Sequence, residues 1–158
     1  MNGTITITPT KNTTRLIRKL AHYPQAVTRA KRAGMIKATN IFRLKAVEEA
    51  PIRKGILRKS ILTEVSNNGE TGKVYSKLEY ARYQEEGTGI YGKRKTPIVP
   101  KRAKYLRFKT KSGKIVYARK VRGTKPKYFM KKGLKYLQQR ISKVNKTIID
   151  SLRRGLYA

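Results

Sequence analysis

Two periods run through the chain. Between residues 13 and 49, Leu16, Ile17, Leu20, Val27, Ala30, Gly34, Ala38, Ile41 and Val47 recur near the spacing of one helix face. Thr13 or Thr14 offers an oxygen to cap the start. Pro24 lacks the backbone donor a helix interior needs, so the pattern predicts a short first helix and a longer one from about Gln25. Ala50-Pro51 ends it, because a proline pushes the preceding residue out of the helical region. Ahead of the helices, residues 1–12 alternate Thr with Ile as far as Pro9. That pattern suits an extended N-terminal arm, an added strand or a disordered tail.

The middle of the chain changes to strand-like spacing. After a turn at Gly55, Leu57, Ile61, Leu62 and Val65 predict a strand within 52–66, imperfectly alternating. Asn67-Asn68-Gly69 is a hairpin signal, and a second strand follows over Lys73 to Leu78. Tyr80 to Glu86 continues that strand or bends away from it, and Gly87-Thr88-Gly89 breaks the pattern. Residues 87–103 read as a long basic loop in which Pro97 and Pro100 argue against a central strand. Two short strands at 104–108 and 114–121 flank Lys111-Ser112-Gly113.

Residues 127–156 predict one long amphipathic helix. Met130, Leu134, Leu137, Ile141, Val144 and Ile148 form its stripe, extended by Leu152 and Leu156. Packing on the sheet and the first helix is favoured over a coiled-coil seam. The expectation is an α+β fold. An antiparallel sheet of about four strands is packed on one face by a long N-terminal helix and a long C-terminal helix, with an extended loop. The arm at 1–12 precedes a single domain over 13–158.

Composition adds one strong fact. The chain has 158 residues, enough for one domain with a real core, and carries 40 Lys+Arg against 8 Asp+Glu, a formal net charge of +32. Seven of the eight acids lie between Glu48 and Glu86, and from Gly87 to Ile149 there is none. One face or end should be strongly positive and should meet a counter-charged partner, nucleic acid or acidic protein. No apolar run is long enough to span a membrane, and the N-terminus lacks the layout of a signal peptide, so a soluble protein is expected.

Candidate chemistry is sparse. With no Cys and a single His, His22, neither a thiolate nor a His-cluster site can form within one chain. Ser60 and Ser112 have no His partner that the sequence places near them. Glu85-Glu86, read on a strand, would point to opposite faces and cannot act as a dyad. An ion pair or a contact to another chain is the better reading. Glu48-Glu49 sits badly for a helix dipole, which local charge balancing by Arg53, Lys54 or Arg58 would relieve. GTGIYG at 87–92 lacks the spacing of a phosphate-binding loop. No catalytic residue, metal ligand or cofactor site is predicted. Lys93, Arg94, Lys95, Lys101, Arg102 and Lys104 are candidate contacts to DNA or an acidic partner, with Tyr91 and Tyr105 able to stack. Ten tyrosines favour interfaces.

The ordered motifs carry more. Ala50-Pro51, Gly55, Leu57-Arg58, Ser60 and Ile61 read AP-x3-G-x-LR-x-SI. Tyr80-Ala81, Glu85 and Gly87-Thr88 read YA-x3-E-x-GT. Gly92, a loop with Thr96-Pro97 and Pro100, a hairpin, and Pro126-x2-Phe129-Met130 before a terminal helix complete the order. Over roughly Ala46 to Leu134 this resembles the neck proteins of long-tailed bacteriophages, the head–tail joining or tail-completion proteins. Arg53-Lys54 and Lys127-Tyr128 depart from the pattern, where Asp-Thr and Arg-Pro are common.

The resemblance implies an α+β structural subunit without catalysis. It implies a ring, commonly of six copies, between the head connector or stopper protein and the tail tube or tail terminator. The protein would sit at the head–tail junction of the virion, and in host cytoplasm during assembly, with packaged DNA in the channel and no membrane. Tyr80, Tyr83, Glu85, Glu86, Gly87, Thr88, Gly89 and Tyr91 would form the subunit or partner interface.

A second reading rests on charge alone: a sequence-nonspecific nucleic-acid-binding protein of ribosomal or nucleoid type. An enzyme is disfavoured. The first two readings diverge at Glu85. Assembly should fail in Glu85→Lys, whereas DNA binding should tolerate or gain from it, as ring formation and DNA affinity of that variant would report.

Overall fold

The structure, a computed structural model, describes residues 3–6, 10–19, 23–110 and 112–156. Leu20 and His22 lie outside the described residues. Pro24 divides the helical pattern as the sequence predicts. Helix α1 spans Lys11–Lys19 and α2 spans Pro24–Glu49, with Pro24 in the first turn, where its missing N–H costs nothing. The cap of α1 is Thr10 rather than Thr13 or Thr14. Its hydroxyl lies 2.8 Å from that of Thr13 and accepts the Thr13 N–H at 3.5 Å. Helix α2 ends at Ala50-Pro51, where Ala50 is extended (ψ 137°).

The chain divides into two compact units. The first comprises Met1–Lys77 with Phe129–Ala158, and the second Leu78–Tyr128.

In the first unit a helical turn, α3 (Ile56–Lys59), precedes strands β2 (Ile61–Val65) and β3 (Thr71–Ser76). The strand expected within 52–66 therefore occupies only its second half. Gly55, at φ 71°, turns the chain into α3, and Ser60 donates its hydroxyl to the Leu57 carbonyl at 2.8 Å. The imperfect alternation came from placing Leu57, a buried helical residue, on the strand. The β2–β3 hairpin turns where Asn67-Asn68-Gly69 was expected. Asn68 Oδ1 accepts from the Ser66 hydroxyl at 2.6 Å and the Glu70 N–H at 3.2 Å, and Gly69 takes φ 71°. Strand β1 (Gly3–Thr6) adds antiparallel to the other side of β3, Gly3 opposite Val74 and Thr6 opposite Thr71. The sheet order is β1-β3-β2.

Helix α2 covers this sheet, and the C-terminal helices cover α2. One line of α2, Ala26, Ala30, Gly34, Ala38, Phe42 and Ala46, steps by four and is wholly buried. On its sheet side, Met35 and Thr39 close over Gly72, where a Cβ would stand 2.7 Å from Met35 Sδ and 2.6 Å from Thr39 Cγ2. On the far side, Gly34 admits Ile148, and the single large residue of the line, Phe42, is received by Gly133. Burial on two sides explains why α2 shows no single apolar face.

The C-terminal helix is two helices, α5 (Phe129–Gln138) and α6 (Ile141–Leu156). Their buried line runs Met130, Gly133, Leu137, then Val144, Ile148, Leu152. Leu134 and Ile141, expected in the stripe, are 39% and 38% exposed, because the glycine next to Leu134 takes the core position against Phe42. The expectation that the C-terminal helix lies on the sheet is also corrected. Helices α5 and α6 pack along α2, so the layers are sheet, α2, then α5 with α6. Among the described residues no helix is long and apolar enough to cross a membrane.

The second unit contains helix α4 (Glu79–Glu86), a short 3-10 turn at Gly89–Tyr91, and a hairpin of β4 (Leu106–Lys109) with β5 (Ile115–Ala118). Tyr80 to Glu86 thus neither extends β3 nor remains a strand. The strands fall into a three-stranded and a two-stranded sheet instead of one sheet of about four. The physical reason lies at Leu78, where the chain leaves the extended conformation and begins α4, and among the described residues the later hairpin strands pair with each other and with no strand of the first sheet.

Glu49 closes the end of α2 against α5. Lys132 Nζ lies 2.8 Å from one of its oxygens and Lys45 Nζ 2.9 Å from the other. The hydrogen bonds from Lys132 and then Lys45 hold the Glu49 carboxyl down at about 2, and the same contacts with Glu49 and Glu48 raise the Lys45 ammonium.

Two outcomes follow from this packing. In Gly133→Ala the new methyl would stand 2.6 Å from the Phe42 ring and 2.9 Å from the Phe42 carbonyl oxygen. Overpacking costs about 1–3 kcal/mol, against a helix-propensity gain of about 0.5–1 kcal/mol, so the urea midpoint should fall. Glu49, with its carboxyl lowered on folding, contributes stability that is present above the unfolded value of 4.5 and lost as pH falls toward 2. Thermal melts of Glu49→Gln should show a flatter decline over that window than the parent.

Candidate functional site

The first motif builds the joint between α2 and the sheet. Arg58 Nε donates to the Ala50 carbonyl at 2.9 Å and Nη2 to the Glu48 carbonyl at 2.7 Å. A guanidinium therefore sits at the negative end of α2, on carbonyls the helix cannot satisfy itself. This resolves the misplaced Glu48-Glu49 pair: Arg58 serves the backbone, and Lys45 and Lys132 serve the carboxylates. Leu57 and Ile61 are buried, and Ser60 and Ser76 share a hydrogen bond of 2.7 Å between neighbouring segments. Each motif residue except Pro51 has an internal task here, and Gly55 is needed for its positive φ alone, since open space surrounds it.

The second motif lies on α4 and the turn after it. Helical spacing puts Ala81 and Glu85 inward and Tyr80 and Tyr83 outward. Glu85 is 4% exposed, and its carbonyl accepts the Tyr128 N–H at 3.3 Å. Gly87 (φ 79°) and Gly89 (φ 62°) let the chain run against the segment Arg122–Pro126. Thr88 N–H donates to the Thr124 carbonyl and Ile90 N–H to the Arg122 carbonyl, both at 2.9 Å. The Thr88 hydroxyl accepts the Thr124 N–H at 2.9 Å. A Cβ on Gly89 would meet the Arg122 carbonyl, and one on Gly123 (φ 91°) the Thr88 carbonyl. The Gly-Thr-Gly turn is thus half of an internal backbone clamp. Its other half, Arg122 to Pro126, was missed in the sequence. The available signal was Gly123 three residues before Pro126 in a stretch without periodicity.

The residues expected at an interface therefore separate. Tyr80, Tyr83 and Tyr91 are exposed, whereas Glu85 and Gly87 are buried and Thr88 and Gly89 belong to the clamp. Glu86 lies 3.3 Å from Arg82 and 3.5 Å from Lys93. Burial pushes its carboxyl up, but the hydrogen bond from Arg82 and the charges of Lys93 and Arg82 outweigh this and hold it below the usual range.

The basic candidates Lys93, Arg94, Lys95, Lys101, Arg102 and Lys104 are all exposed. Lys93 is engaged by Glu86, and Lys104 lies over Tyr105 with its Nζ 5.9 Å from the ring centre. The loop they occupy is pinned by paired hydrogen bonds of 2.9 and 3.0 Å between Ile98 and Val121. The first unit holds a feature the sequence did not suggest, a cleft of about 380 Å³ lined by Lys37, Ile41, Leu44, Tyr136, Arg140 and Lys143 among others. Arg140 stacks 3.6 Å over Tyr136, and Leu44 is 65% exposed. Among the described residues, no three His, Cys, Asp or Glu side chains converge as a metal site would require. The Ser60 hydroxyl is engaged by the Leu57 carbonyl and Ser76, and that of Ser112 lies 2.9 Å from Thr110.

With this geometry in place, comparison with known proteins gives one match. The model of the family described as "Bacteriophage HK97-gp10, putative tail-component" matches residues 14–87, just under half the chain. The matched segment runs from α1 through the joint at Arg58 to the first glycine of the clamp. Curated proteins and solved structures gave no match.

Three variants test the internal roles of the motif residues. Arg58→Ala should lower stability by about 1.5–3 kcal/mol, the range for hydrogen bonds to charged groups. Arg58→Lys should recover only part of it, because an ammonium cannot reproduce the fork. Glu85→Lys should unfold the second unit before it reports on assembly, since it places a bulkier cation at a buried position. Chemical denaturation of the three proteins, followed by circular dichroism, reads both effects.

Proposed function

We propose, on the premise that residues 14–87 carry the module of the bacteriophage HK97-gp10 tail-component family, that this protein is a structural subunit of the virion neck. Its copies form a ring, six in number, that joins the head connector or stopper protein to the tail tube or its terminator. The family match is the observation that carries this reading. The motif residues inside the matched segment support it, because they build the α2–sheet joint and start the clamp that holds the outward-facing tyrosines.

Edge strands β1 and β2 and the exposed Tyr80, Tyr83 and Tyr91 are the surfaces suited to contacts between subunits or with neighbouring rings. An edge strand offers unpaired backbone groups, and tyrosine gives large contact area with a polar tip. Glu86 ties α4 to the basic loop of the second unit through its pairs with Arg82 and Lys93. Glu85, Gly87, Thr88 and Gly89 support the interface from within. Lys93, Arg94, Lys95, Lys101, Arg102 and Lys104 would meet acidic partner rings or packaged DNA, which would offset a charge that otherwise opposes ring closure. The role is architectural, performed in the virion after assembly in host cytoplasm.

Immunogold electron microscopy with antibody to this chain should place label at the junction of head and tail. Intact and disrupted particles that both stay unlabelled would overturn the reading. Tyr80→Ala/Tyr83→Ala should leave the melting temperature within a few degrees and abolish the multimer seen by light scattering at the parent's concentration.

A further inference from the structure

The β4–β5 hairpin has two unlike faces. Its register sets Leu106 opposite Ala118, Arg107 opposite Tyr117 and Lys109 opposite Ile115. Alternation therefore puts Leu106, Phe108, Val116 and Ala118 on one side, of which all but Phe108 are half-buried. The other side carries Arg107, Lys109, Ile115 and Tyr117, with Tyr105 and Arg119 continuing it at the open end, and all six are exposed. Tyr105 and Arg119 are in contact, the guanidinium 5.9 Å from the ring centre. Arg107, Lys109 and Arg119 have no carboxylate within ion-pair distance among the described residues, and residues 87–128 contain no acid at all.

We infer that this face of the hairpin binds the phosphate backbone of duplex DNA without regard to sequence. Three observations favour DNA over an acidic protein. Arg107 stands in the middle of the face with Lys109 toward the turn and Arg119 at the open end, so charge runs its whole length, whereas the core of a protein interface is depleted of charge and of lysine in particular. Arg107 and Lys109 stand two residues apart on β4, about 7 Å, and Arg119 follows the facing strand, which spaces the three as separate point contacts. A two-stranded ribbon also has the width that the major groove of duplex DNA, about 12 Å, admits. Phosphate contacts position a protein without reading bases, which gives the sequence independence. The Tyr105 ring favours the Arg119 guanidinium over its face. This inference stands on the hairpin alone and survives or fails independently of the neck reading.

With a net charge of +32 the chain will bind DNA loosely wherever it is positive, so the test must locate the contact. The full chain is titrated against short fluorescein-labelled duplexes of two unrelated sequences, by anisotropy, between roughly 50 and 200 mM salt. Arg107→Gln/Lys109→Gln/Arg119→Gln is compared with a control of equal charge loss in the first unit, Arg29→Gln/Lys37→Gln/Arg153→Gln, whose three residues are exposed. The hairpin variant should bind at least about tenfold more weakly and lose about 3 from the salt slope, at 0.9 per phosphate released. The control should stay within about threefold, and both sequences should behave alike. Equal losses in the two variants, or no loss in either, would overturn the inference. So would poly-glutamate binding that depends on the hairpin cations while DNA binding does not, since the partner would then be an acidic protein. Unchanged circular dichroism melts establish that the variants are folded.

Discussion

The first unit depends on how closely other elements can approach α2. A helix buried on two sides must present small residues where backbones meet, and α2 does so with Ala26, Ala30, Gly34, Ala38 and Ala46. Its one large residue on that line, Phe42, is matched by the absence of a side chain at Gly133. Gly72 does the same on the sheet side under Met35 and Thr39. Three layers are held by complementary steps of a few ångströms, which is why single methyl groups at these positions matter more than their size suggests.

The second unit depends on backbone more than on a core. Gly87, Gly89 and Gly123 allow two segments to pair by hydrogen bonds at a separation that a Cβ would forbid. The clamp fixes both ends of the unit, from Gln84 and Glu85 to Lys127 and Tyr128. Between them the loop and hairpin are free to be almost wholly cationic. Glu49 at the end of α2 and Glu86 beside Lys93 are engaged in local ion pairs. Among the described residues no carboxylate pairs with Arg107, Lys109 or Arg119, and all three side chains are exposed.

The two motifs that suggested a phage neck protein act, within this chain, as architecture. Arg58 caps a helix and Thr88 closes a clamp. The exposed Tyr80 and Tyr83 stand beside them on α4, next to the buried Ala81 and Glu85. The motif order was readable because such internal jobs constrain residue type strongly. Exposed tyrosines carry no such constraint, so the sequence marks them less sharply.

The sequence by itself determined the α+β class, the break at Pro24, the stop at Ala50-Pro51, the turn at Asn68-Gly69 and the hairpin around Ser112-Gly113. Each rests on a local rule: a missing donor, a steric clash before proline, a side chain that closes its own turn. Tertiary structure decided the rest. It made Tyr80 to Glu86 a helix, because burying Ala81 with Glu85 requires a spacing of four. It divided the strands between two sheets, because the chain turns into α4 before a fourth strand could join. It moved the core line of α5 from Leu134 to Gly133, because a neighbouring helix already filled that space with Phe42. Patterns of hydrophobicity record what a segment would bury, and only the partner across the interface fixes which residue is allowed to be there.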